Sequence, residues 1–170
     1  MAIQRTTPAT ISLGTSGSTS GLYGLVSHAT NGSQSNVVSS GTSNNITGIT
    51  CNLDISLPSV TTATASTKVD IYVWGSNDDA GYPGNSTGTE VITGSAGLIT
   101  LSGVANNSLK FAGVATCPAN TTAAVVRLDF PVHVALGFIP RRWGLVFINN
   151  TGVTLPNTGH VAEYVEEFYN

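Results

Sequence analysis

The stretch ITCNLDISL, residues 49 to 57, alternates without a slip. Ile49, Cys51, Leu53, Ile55 and Leu57 are apolar, and Thr50, Asn52, Asp54 and Ser56 between them are polar. Successive side chains of an extended chain point to opposite faces, so this run sets one wholly apolar face against a core and one polar face outward. A helix would scatter the same residues around its circumference. A chain carrying this segment must build a sheet with one covered side. KVDIYVW (68–74) repeats the pattern, with Val69, Ile71 and Val73 between Lys68, Asp70 and Tyr72. GLITLS (97–102), SLKFAGVA (108–115), AAVVRLDF (123–130), VHVALGF (132–138) and RWGLVFIN (142–149) are further expected strands. VAEYVEEFY (161–169) also fits a helical stripe of Val161, Tyr164, Val165 and Phe168 with Glu163, Glu166 and Glu167 opposite, but its β-branched and aromatic content favours a strand.

Turn signals between these runs are spaced as in a β-sandwich or jelly roll, and the Ser, Thr, Asn and Gly that dominate the polar residues are poor helix formers. The expected fold is all-β and single-domain. Residues 1–48, where GTSGSTSG (14–21), NGSQSN (31–36) and SSGTSNN (39–45) separate short apolar pieces, are expected to form an extended N-terminal arm whose short strands pack on a body of residues 49–170. At 170 residues the chain buries a core without disulfide or metal staples. Cys51 and Cys117 stand in no CxxC pattern and read as two reduced, buried thiols of a protein made in a cytoplasm.

Charged residues are only 9% of the chain and the net charge is −3, which offers no basic stripe to a phosphate backbone. Neither a signal peptide nor an apolar run long enough to span a membrane is present in the sequence. Nucleic acid and membrane are therefore not expected partners. A surface so poor in charge does little to keep copies apart, and it suits a protein whose surface is destined to lie against copies of itself, a trimer among the states it allows.

The sequence holds no GxSxG elbow, no HExxH, no phosphate-cradling GxxxxGK and no GxGxxG opening a helix, so it reads as a non-enzyme without a cofactor. His28, His133 and His160 stand in separate segments with no metal-ligand spacing, and His133 is expected to be a strand histidine that either points outward or has its hydrogen bonds satisfied. The loop WGSNDDAGYPGNSTGTE (74–90) is the richest in candidate ligands. Asn77, Asp78 and Asp79 offer the hard oxygens calcium takes, and Trp74 and Tyr82 offer aromatic faces to a saccharide. The opposing reading makes Trp74 the close of a strand, and Asp78 and Asp79 caps of local backbone donors.

In GFIPRRWGLVFIN (137–149) the adjacent pair Arg141 and Arg142 precedes the most apolar strand of the chain. Arg142, Gly144, Val146 and Ile148 should face one way, and Trp143, Leu145, Phe147 and Asn149 the other. A strand apolar on both faces is covered on both faces. Pro140 lacks the ladder donor, so the strand starts after it and the arginines lie at the rim. Arg141 and Arg142 are expected either to pair with Glu163, Glu166 and Glu167 across a hairpin of the last two strands, or to reach such charges on a neighbouring copy, with Trp143 part of that contact.

IPRRWGLVFINNTG followed by a short loop and VAEYVEEFY resembles the C-terminal end of small virion structural proteins of tailed bacteriophages, over about the last 40 residues. The resemblance implies a β-rich capsid decoration or cement protein of the phage head, homo-oligomeric, located in the virion and bound to the major capsid protein or other virion proteins. It carries over no catalytic residue. A carbohydrate-binding module or tail adhesin built on the Trp74–Tyr82 loop is the alternative.

Overall fold

The computed structural model describes residues 2–17, 21–27, 31–40, 45–60, 67–77, 92–100, 109–118 and 123–169. Its strands are β1 (Ile3–Arg5), β2 (Ala9–Thr10), β3 (Asn31–Gln34), β4 (Val38–Ser39), β5 (Ile46–Leu57), β6 (Lys68–Ser76), β7 (Gly97–Thr100), β8 (Lys110–Thr116), β9 (Ala124–Pro131), β10 (Arg142–Asn149) and β11 (Val161–Tyr169), with one short helix, α1 (Val132–Leu136). They form two antiparallel sheets. One runs β1-β11-β5-β9 with β2 also on β11, and the other runs β7-β3-β10-β6-β8 with β4 also on β10. The all-β sandwich expected from the alternating runs is present.

The core lies between the sheets and is built as the alternation requires. Ile49, Cys51, Leu53, Ile55 and Leu57 of β5 are all 0% exposed, as are Val69, Ile71 and Val73 of β6 and Trp143, Leu145 and Phe147 of β10. Trp143 meets Tyr164 of β11 edge to face across the gap, with ring centroids 5.6 Å apart, a geometry that adds to the burial of both rings. Cys51 and Cys117 are free and buried, and burial pushes both thiols above their ordinary value.

The first third of the chain is an arm only at its start. The side chains of β1 are exposed, and its backbone lies antiparallel along the end of β11, with Ile3 opposite Tyr169. Beyond β2 the chain turns inward, and Ile11, Leu13, Leu22, Leu25 and Val38 join the main core. β3 and β4 then pair with β10 in the other sheet.

VHVALGF is not a strand. Residues 132–136 form α1, which carries the chain from β9 in one sheet to β10 in the other. Val132 and Leu136, four apart, are buried, while Val134 between them is 65% exposed. Five residues, four of them apolar, cannot distinguish a period of two from a helical turn, and the need to cross between sheets decides for the helix. Gly137 ends it at φ 81, with its N–H donating to His133 O at 2.9 Å. His133 therefore stands on a helix, where its Nδ1 lies 3.1 Å from the Ile49 N–H nitrogen.

The last two strands do not form a hairpin, because β10 and β11 belong to different sheets. The NNTG turn begins their connection and is built around Asn149, which is 0% exposed. Its Nδ2 donates to Leu25 O at 2.7 Å and Val153 O at 2.8 Å, and its Oδ1 accepts from Thr151 N–H at 3.0 Å. One amide thus ties β10, the turn and the N-terminal segment together, and its burial is permitted because its polar atoms are paired. His160 closes the crossing. Its Nε2 donates to Pro156 O at 2.9 Å, its Nδ1 accepts the Ser56 N–H at 3.2 Å, and Tyr23 stacks on it edge to face at 5.2 Å. Burial lowers the His160 pKa, and only the neutral ring makes both bonds.

Candidate functional site

The arginine pair lies where the strand reading puts it, at the start of β10. The Arg141 N–H donates to Ser76 O at 3.0 Å and its carbonyl accepts from the Ser40 N–H at 2.8 Å, while Arg142 stands opposite Ser76 and Ser39. Arg141 is exposed and Arg142 partly so. Trp143 is not part of this surface, since its inward direction seats it in the core. α1 lies across the same end of the sandwich. A Cβ on Gly75 of β6 would stand 2.5 Å from Leu136 Cδ1 and 3.0 Å from Pro140 Cβ, so the glycine is what lets the helix and the proline close down on the sheet. On the solvent side this rim presents Val134, Phe138 and Ile139, which are 65%, 38% and 36% exposed, in the residues just before Arg141.

The glutamates expected to answer the arginines are split by strand parity. Glu166 faces inward with Ala162 and Tyr164 and is 8% exposed. Glu163 and Glu167 face outward. Glu167 is held by Arg5 of β1, whose Nη2 lies 2.7 Å from Oε1, so the N-terminal strand takes the place the hairpin partner was expected to fill.

Glu163 belongs to a second outward feature, whose carboxylates the sequence alone could not place together. The outer face of the β11-β5-β9 sheet bears a groove of about 320 Å³ lined by Asn52, Asp54, Arg127, Asp129, Val161 and Glu163. Register assembles it in two rows. Val161, Asp54 and Arg127 are cross-strand neighbours, and so are Glu163, Asn52 and Asp129. Arg127 grips Asp54 at two points, Nε to Oδ1 and Nη2 to Oδ2, both 2.7 Å. That hydrogen bonding, with the guanidinium's charge, holds the Asp54 carboxyl below its usual range, and Asp54 in turn raises Arg127. The groove carries three carboxylates against one guanidinium. Val125 and Val161, 61% and 47% exposed, flank these charges on the same face. The signal was present in the polar positions of ITCNLDISL and VVRLDF, but only register shows that they meet.

The 74–90 loop is described only at its start. Trp74 is 0% exposed and packs on the outer face of the other sheet with Ile92, Ile99 and Val146, against Gly144, where a Cβ would stand 2.7 Å from its Nε1. It closes a strand and offers no open ring to a saccharide. Asn77 is exposed, and Asp78, Asp79 and Tyr82 lie outside the described residues. Among the described residues, no group of three or more His, Cys, Asp or Glu side chains is placed to hold a metal ion, and no helix is long and apolar enough to cross a membrane.

Comparison of the chain with protein-family models, with curated proteins and with solved structures gives no match in any of the three.

Proposed function

We propose that this chain is a non-enzymatic structural protein of a bacteriophage particle, a homo-oligomeric capsid decoration or cement protein that stabilises the phage head. The observation that carries the reading is the rim at the α1 end, where three exposed apolar side chains stand beside Arg141. Apolar side chains and arginine together are the composition of protein contacts. The rim also coincides with IPRRWG, the start of the segment that resembles the ends of phage virion proteins. A protein that binds the assembled shell and not its separated parts stabilises the shell by mass action, without chemistry.

The test is decoration. Purified phage heads lacking the protein are incubated with wild type or with Arg141→Ala/Arg142→Ala, and occupancy is counted by gold labelling and electron microscopy. Wild type should decorate in a regular array and raise the temperature at which heads release DNA, and the double variant, with an unchanged circular dichroism spectrum, should decorate sparsely. Absence of wild-type protein from every part of the particle sinks the proposal.

A further inference from the structure

The strands that end the two sheets are not alike. An open sheet edge invites another strand, and folds blunt their edges by brevity, bulges or charge. β1 and β7 are short, of three and four residues. β8 has seven, but its register slips opposite Ile71 and Tyr72 and it begins at the exposed Lys110, while Phe111 beside it rests edge to face on Tyr72 at 5.7 Å. β9 has eight residues and pairs with β5 from Ala124 to Pro131 without a bulge, and no described strand bonds to its other side. β8 stands behind it, where a Cβ on Gly113 would lie 3.9 Å from Leu128 Cδ2. The Ile49 N–H points to His133, just past β9, and the Ser56 N–H to His160, just before β11. Residues two apart point their backbone groups alike, so the odd residues of β5 bond to Val126, Leu128 and Phe130 of β9. Val125, Arg127, Asp129 and Pro131 therefore turn their backbone groups to the open side, and among the described residues none bonds to those of Val125, Arg127 and Asp129. We infer that β9 of one copy of this chain pairs with β9 of a second, antiparallel about a two-fold axis at Leu128, so that the two β11-β5-β9 sheets become one.

Charge selects a second copy as the occupant and fixes its register. Outward backbone groups meet only when odd residues of β9 stand opposite odd ones. A two-fold at Arg127 would set that cation against itself, and one at Asp129 would set acid against acid, both unfavourable across a strand pair. A two-fold at Leu128 sets each Arg127 opposite Asp129 of the other copy and Val125 opposite Pro131. Arg127 and Asp129 then exchange both backbone hydrogen bonds, and the Val125 N–H donates to Pro131 O, the one backbone group that proline offers. The side chains stay on the outer face, so a row that reads Val161, Asp54, Arg127 in one copy continues as Asp129, Asn52, Glu163 in the other. No ion pair is broken to make it. Arg127 holds Asp54 through Nε and Nη2, and its Nη1 is the donor turned to the second copy. Asp129 and Glu163 of its own chain already act on Arg127, and the two-fold adds a further carboxylate to that network. β8 has no such pattern, since Lys110–Thr116 carries one cation and no acid. The contact uses the same patch on both copies, so it closes at two.

This inference deepens the self-association part of the proposed function, rests on it, and is tested in purified protein apart from any particle. Wild type should dimerise reversibly in sedimentation. Asp129→Arg and Arg127→Asp each set like charges across the two-fold, so each alone should weaken dimerisation about tenfold or more, with an unchanged circular dichroism spectrum. An equimolar mixture of the two variants should dimerise again, because every cross-strand pair is then unlike. Residues that only support their own sheet give no such rescue. Leu128→Cys sets two thiols on the axis with Cα atoms about 4.5 Å apart, within the span of a disulfide, and should give a linked dimer on mild oxidation, the native thiols being buried. Phe111→Cys on β8 and Val134→Cys on α1, both exposed positions, should not. A wild type that remains monomeric at high concentration overturns the inference and leaves attachment to heads to the decoration assay. An oligomer that keeps its strength in both single charge variants, or that links through Phe111→Cys or Val134→Cys and not through Leu128→Cys, overturns this interface while self-association stands.

Discussion

The two outer faces of the sandwich are built on opposite plans. On the β10 side the outward residues Val146 and Trp74 are roofed by Ile92 and Ile99 and are as dry as the core. On the β5 side the outward residues Asn52, Asp54, Arg127, Asp129 and Glu163 face an open groove. The sequence difference behind this is plain. β5 alternates strictly, whereas β10 is apolar at nearly every position, and a strand apolar on both sides needs a second cover. The roof comes partly from a segment distant in sequence, around residues 92–99, and Gly144 makes room for the Trp74 ring to lie flat on its neighbour. The lesson is that the sandwich places a third apolar layer over one sheet and leaves the outer face of the other polar and open.

The contrast breaks most sharply at Trp74. Removing a fully buried tryptophan leaves a cavity, so Trp74→Ala should cost about 3–5 kcal/mol in urea unfolding. A loss below about 1 kcal/mol would mean that the roofed face is not a packed layer. Acid sharpens the contrast next. The neutral His160 ring is buried in the crossing between sheets, and its pKa is lowered from an ordinary 6.5. The unfolded chain therefore takes up this proton first, so stability should begin to fall as pH drops below about 6.5, by at most about 1.4 kcal/mol per pH unit, and level off once the folded ring protonates. Asp54 on the open face also has a lowered pKa, so its contribution is present above its ordinary 3.8 and is lost only as pH falls through its folded value. Unfolding midpoints between pH 7 and 5 should thus slope in wild type and flatten in His160→Gln; an unchanged slope would assign it to another group. The smallest effect belongs to the groove. Asn52→Ser combined with Glu163→Gln should shift stability by no more than about 0.5 kcal/mol, checked by the same urea titration.

Much of this was legible before any coordinates. The strands 142–149 and 161–169 begin and end where the sequence places them, the two thiols are buried, and the doubly apolar character of RWGLVFIN correctly announces a strand covered on both sides. Three features were not legible, each for a physical reason. The helix at 132–136 hides in an apolar run too short to show its period. Arg141 and Arg142 and the final glutamates are neighbours in sequence order but not in a sheet, because the Asn149 turn and the His160 crossing carry the chain from one layer to the other. Trp74 looks like a ligand platform in a loop rich in Asn and Gly, but its roof lies some twenty residues further on.

Local alternation, turn residues and the scarcity of charge therefore determined that this chain makes sheets, which face of β5 is buried and where β10 starts. Tertiary structure alone decided which strands are neighbours, and with that which charges meet. Alternation is a property of one strand and is written in consecutive residues. Register joins residues about a hundred positions apart, so the pairing of Arg127 with Asp54 and of Glu167 with Arg5 exists only once the sheet is assembled.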